Sequence, residues 1–167
     1  MLDKKFDMDD LPNDIMRQIY QYWLDKKGDC LMPSRADLKP EEMAKLLPYL
    51  TLVDVEVETG RYRFRLIGTE TVKIFGQDVT GAYLDEMPGA ESYLKTRYDW
   101  LVKEKRPYYV VDSTLKWSKK ASANYYVLGL PLSGDGEEVD MFLFGTYYHF
   151  PHELRTEFYD LGHKDIV

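Results

Sequence analysis

The run VDMFLFGTYYH, residues 139–149, is apolar on both of its faces. Successive side chains of an extended strand point to opposite sides. Val139, Met141, Leu143 and Tyr147 therefore share one side, and Phe142, Phe144 and Tyr148 the other. Such a strand needs cover on both faces, so it belongs at the centre of a sheet with packed layers above and below.

The rest of the chain supplies the other elements. Residues 51–57 and 61–67 read as strands joined by Glu58, Thr59 and Gly60, a connection short enough for a hairpin. In the second strand Arg61, Arg63 and Arg65 fall on one side, and Tyr62, Phe64 and Leu66 on the other. Gly68 offers a turn, the Thr69 hydroxyl a cap, and Val72, Ile74 and Phe75 a short helix, before Gly76 and Gly81 permit positive φ. A longer helix over 90–105 carries Tyr93, Arg97, Trp100, Leu101 and Glu104 along or near one side and ends before Pro107. Further strands are expected over 108–117, 124–132 and 139–149, with the polar turn SGDG before the last.

Toward the N-terminus, Ile15, Ile19, Tyr22 and Trp23 recur at helical spacing, with Asn13 and Asp14 favouring the start and Gly28 the end of a helix over 11–27. Its apolar stripe must lie on the outer face of the sheet or on a second subunit. The intervening DCLMPSRADLKP reads as an irregular tether. A short helix over 40–47 is expected next: Pro40 and the acidic Glu41 and Glu42 suit its first turn, Met43, Leu46 and Leu47 give an apolar face, and Pro48 stops it.

Composition narrows the function classes. A chain of 167 residues with 44% hydrophobic and 31% charged residues is globular rather than disordered. With 29 acidic against 22 basic residues, a net charge of −7 disfavours nucleic acid as a partner. No apolar run reaches the roughly 18 residues of a membrane span, and the acidic start MLDKKFDMDD lacks a signal-peptide core, so the expected compartment is the cytoplasm. Cys30 stands alone, which excludes an internal disulfide and a thiolate metal cluster. His149, His152 and Glu153 could meet a metal in principle, but chance explains a trio at a polar terminus better, so no metal site is assigned. Neither a nucleophile elbow nor a phosphate-binding glycine loop occurs.

Pro33, Ser34, Arg35, Asp37, Pro40, Leu47, Pro48, Arg65, Gly68, Thr69, Gly76, Thr80, Gly81, Pro131 and Leu132 together carry a resemblance to PAS domains. Over residues 31–148 the chain resembles in particular a bacterial family of short proteins built around one such domain. The resemblance implies an α+β fold: a five-stranded antiparallel sheet of order 2-1-5-4-3 with helices on one face, used to sense ligands or bind partners without a shared chemistry. The fifth strand is central in that topology, as the two-faced pattern requires independently. The N-terminal helix is then expected on the other face or at a dimer interface. The chain divides into an extension over 1–30, a PAS-like domain over 31–150 and a tail over 151–167. Flavin and haem are disfavoured cofactors. The stretch GTETVKIFGQ lacks the cysteine that flavin photosensing needs in relatives, and residues 90–105 hold no histidine.

The expected function is a non-enzymatic sensory or interaction module that signals in trans to another protein. The alternatives are a small cavity enzyme of isomerase-like type and a structural adaptor with a filled core. Arg65 is read first as an ion-pair or backbone-bonding residue toward Asp37 or Asp54, and second as an anion clamp for a ligand carboxylate. Trp100, Tyr109 and Tyr126 are the candidate pocket-lining aromatics, because a phenol joins an apolar ring to a hydrogen-bonding tip. Ile15, Ile19, Tyr22 and Trp23 are the candidate homodimer contacts. Lys116, Lys119 and Lys120 read as a solvated strand end.

Overall fold

The computed structural model describes residues 2–112 and 124–149. The expected extension of a strand to 117, with Lys116, Lys119 and Lys120, lies outside the described residues, as do His152, Glu153 and the 151–167 tail.

Strands β1 (Leu50–Glu56), β2 (Arg61–Ile67), β3 (Tyr108–Asp112), β4 (Asn124–Leu132) and β5 (Met141–His149) form one antiparallel sheet in the order β2-β1-β5-β4-β3. β5 is central, between β1 and β4, and Phe142, Leu143 and Phe144 are all buried. Its even-numbered residues face helices α2 (Thr69–Phe75) and α3 (Pro88–Glu104): Phe144 stacks on Tyr98, and the Thr146 hydroxyl bonds that of Thr71. Its odd-numbered residues face helix α1 (Asp14–Lys27) and the linker after it. The second face is thus covered from within the same chain.

α1 begins where Asn13 leaves its side-chain oxygen to accept from the Met16 N–H at 3.0 Å, and ends at Gly28 with φ 51°. Met16, Ile19 and Trp23 form its buried stripe. Two contacts seat it. A Cβ on Gly145 would stand 3.0 Å from Ile19 Cδ1, so the missing side chain of β5 lets the helix lie this close. Trp23 Nε1–H donates to the Pro131 carbonyl at 3.0 Å. β3 pairs only as far as Gly129, so residues 130–132 of β4 extend past their neighbour on that side, and the indole takes up a carbonyl left there without a strand partner.

Three expectations change. Residues 40–47 form no α-helix but two 3₁₀ turns, Pro40–Glu42 and Leu47–Tyr49, because a segment this short between two prolines closes too few bonds to offset helix nucleation. Met43 and Leu46 are nonetheless buried. α2 starts at Thr69 itself with Gly68 at the N-cap, and no side chain caps it. Leu66 does not share a face with Tyr62 and Phe64. A bulge places Leu52 opposite Leu66 and Val53 opposite Phe64, leaving Arg65 as the extra residue and turning Leu66 to the outer side with Leu50, Leu52 and Leu143.

A hydroxyl-lined cavity beneath the sheet

Between the inner face of the sheet and helices α2 and α3 lies a cavity of about 30 Å³. The inner strands β1, β4 and β5 supply Thr51, Tyr125, Val127, Phe144, Thr146 and Tyr148, and the edge strands β2 and β3 add Phe64 and Tyr108. α2 contributes Thr71 and Phe75, α3 Leu94 and Tyr98. Among the described residues, every lining group is apolar, an aliphatic hydroxyl or a phenol.

Local sequence positions these groups. Tyr108 lies over Gly129, its cross-strand partner, where a Cβ would come within 2.6 Å of the ring. The space a side chain would fill is occupied by the phenol, whose other flank meets Trp100 edge-on at 5.9 Å. Tyr98 is held by Tyr62 at 5.2 Å, Phe142 at 5.3 Å and Phe144 at 5.0 Å between ring centroids. Thr71 and Thr146 bond each other at 3.0 Å, Tyr148 donates to Thr71 at 3.4 Å, and Thr146 reaches the Tyr49 carbonyl at 3.4 Å. This relay ties α2 to the central strand.

Other hydroxyls lack such partners. Thr51 Oγ1 is buried with no hydrogen bond, and among the described residues neither Tyr98 nor Tyr108 has a hydrogen-bond partner for its phenol. Burial pushes the phenols of Tyr98, Tyr108 and Tyr125 well up and that of Tyr148 to about 12, so all four stay protonated donors at neutral pH. Beside the cavity but outside its lining, buried Arg97 pairs with Asp112 and donates to the Tyr93 hydroxyl at 2.7 Å, with its guanidinium 4.4 Å from that ring. Its Nη1 is buried with no hydrogen-bond partner.

The profile of the PAS domain family matches residues 13–147. The chain belongs to the PAS domain family. Among solved structures, this PAS domain is similar to the PAS domain of BvgS from Bordetella pertussis, at 18% identity and a TM-score of 0.50, covering 73% of this chain and 95% of that one. It is also similar to a sensory box sensor histidine kinase from Vibrio cholerae, at 15% identity and a TM-score of 0.49, covering 67% and 92% of the two chains. A LOV protein from Rhodobacter sphaeroides matches at 16% identity and a TM-score of 0.45, covering 75% and 77%. Among curated proteins no significant match is found. The likeness to these structures extends to the fold alone.

The four aromatic and cationic candidates from the sequence do not meet in the cavity of this PAS domain. Arg65 is on the surface, 3.4 Å from Asp54, which also holds Arg63 at 3.0 Å. Trp100 stands behind Tyr108, with the Arg106 guanidinium 4.8 Å from its ring. Tyr109 and Tyr126 lie on the other side of the sheet, Tyr109 against Phe6 and Tyr126 against Tyr147. On α1, Ile19 and Trp23 are buried against the chain's own sheet, while Ile15 and Tyr22 are half-buried, and Tyr22 bonds Glu42 and the Lys39 N–H. The lining residues that sequence reasoning missed are above all Thr51, Thr71 and Thr146. Their signal was an aliphatic hydroxyl placed where an apolar stretch enters a buried layer.

Among the described residues no helix is long and apolar enough to cross a membrane, and no cluster of three His, Cys, Asp or Glu side chains could hold a metal.

Proposed function

We propose that this PAS domain is a non-enzymatic sensory or interaction module whose ligand enters the cavity between the sheet and α2. The observation that carries this reading is the pairing of unbonded hydroxyls with a bonded hydroxyl relay around one small space. A ligand that engages the first group competes for the second, and the Thr71–Thr146 bond is the contact through which α2 would shift against β5. A lining of phenols, threonines and hydrocarbon supports recognition over acid–base catalysis, which calls for a titratable pair poised near neutral pH.

The shift reaches α1 through β5, since Thr146 and Gly145 are adjacent and Gly145 seats Ile19. Output then passes in trans to another protein. The proposal includes a cytoplasmic bacterial setting and a homodimer in which Ile15 and Tyr22, on the accessible side of α1, contribute contacts. Native mass spectrometry of freshly purified protein tests both parts together: a retained small molecule and a doubled subunit mass are expected. An empty monomer would overturn both.

A further inference from the structure

Which chemical class the cavity selects follows from three features of its wall. First, among the described residues the lining carries no formal charge, from β1 through β5 or from either helix. A carboxylate or ammonium placed there would exchange water for hydrocarbon and neutral hydroxyls, a cost of several kcal/mol without a counter-ion. Arg97, the cation beside the site, is already matched by Asp112. Second, the lining groups for which no hydrogen bond is found among the described residues are hydroxyls, each with an O–H free to donate: the buried Thr51 hydroxyl and the phenols of Tyr98 and Tyr108, a phenol being a better donor than acceptor. A buried hydroxyl without a partner costs about 1–3 kcal/mol, so an occupant bearing acceptor atoms gains what an apolar one of equal size would not. Third, about 30 Å³ exceeds the roughly 10–15 Å³ that one water needs, but leaves no room for a fused aromatic ring system such as a flavin or haem without repacking of Tyr98 and Tyr108.

We infer that the cavity selects an uncharged molecule of few heavy atoms bearing at least two hydrogen-bonding atoms, one of them a carbonyl-type acceptor, and that Tyr98, Tyr108 and Thr51 determine this specificity. The inference rests on the sensory-cavity reading above and deepens it. Tyr98 and Tyr108 donate to the acceptor, and Thr51 closes the set. Gly129 is a positioning residue, since its absent side chain is what lets Tyr108 lie over the strand.

Three probes of similar size and different charge separate the possibilities: acetamide, acetate and ethylammonium, each titrated into the full chain and followed by NMR shifts of the Thr51, Thr71 and Thr146 amides. Acetamide is expected to shift these signals saturably, with acetate and ethylammonium at least tenfold weaker. Tyr98→Phe and Tyr108→Phe should each weaken acetamide about five- to tenfold while the rest of the spectrum stays folded. Gly129→Ala should weaken it through the displaced Tyr108 ring, and combining Gly129→Ala with Tyr108→Phe should add nothing further. Acetate or ethylammonium binding as tightly as acetamide would overturn the charge argument and leave the sensory cavity standing. Equal acetamide affinity in both phenylalanine variants would overturn the assignment of the phenols. Failure of all three probes, with no molecule retained in native mass spectrometry, would overturn the cavity reading itself.

Discussion

Trp23 Nε1–H and the Pro131 carbonyl meet at 3.0 Å across 108 residues of sequence, tying the first α-helix to a stretch of β4 that extends past its β3 neighbour. Trp23→Phe removes the N–H together with part of the indole ring and leaves that carbonyl buried without this partner. The expected loss is about 1–3 kcal/mol, against about 3–5 kcal/mol for Trp23→Ala, which also opens a cavity. Urea denaturation of the three proteins checks the order. A phenylalanine variant as stable as the parent would show that packing alone seats the helix.

Gly145 and Ile19 form the second contact of that interface. Gly145→Val should destabilise by about 1–3 kcal/mol through overpacking, and Ile19→Ala in the same chain should recover part of the loss. A double-mutant cycle measures the coupling; strict additivity would mean that the two sites do not press on each other.

Two arginines should behave in opposite ways. Arg65→Ala removes an ion pair with more than half of the cation exposed, so stability should change by less than about 1 kcal/mol. Arg97→Ala strips a buried cation from Asp112 and should cost about 3–5 kcal/mol. Denaturant midpoints of the two variants decide the matter, and similar values would contradict the placement of Arg97 in the core.

Burial raises the phenol pKa of Tyr98, Tyr108, Tyr125 and Tyr148 above the ordinary value of 10.0. The unfolded chain then releases its phenolic protons first, so it binds fewer protons than the native state, and stability falls as pH rises. The contribution is complete below pH 10 and declines from there through about 12, the value for Tyr148. Tyrosinate absorbance should show exposed phenols titrating reversibly and a second group appearing only with unfolding. A single transition near the ordinary value would contradict the burial of all four.

The central position of β5 could be read from its residues because apolar side chains on both faces leave few other places for a strand. The α1 stripe was legible in part: Ile19 and Trp23 share the buried face, but Met16 completes it, and Ile15 and Tyr22 are only half-buried. What alternation does not give is which side of a sheet receives which layer. Tyr125 and Tyr126 are neighbours with similar chemistry, yet one lines the cavity and the other the opposite surface. The same ambiguity separates Tyr108 from Tyr109. A bulge compounds it: at Arg65 one extra residue reverses the alternation, so Leu66 points where an arginine was expected. Helix 40–47 failed for a different reason, because prolines and acidic residues mark a first turn without guaranteeing that a second one follows.

The central claim is that cavity occupancy is felt by α1 through β5. Hydrogen exchange of freshly purified protein, compared with protein unfolded, dialysed free of small molecules and refolded, tests it most directly. Changed protection is expected in both Thr69–Phe75 and Asp14–Lys27, with β5 between them. Identical protection in the two preparations, or a change in α2 that leaves α1 untouched, would contradict it.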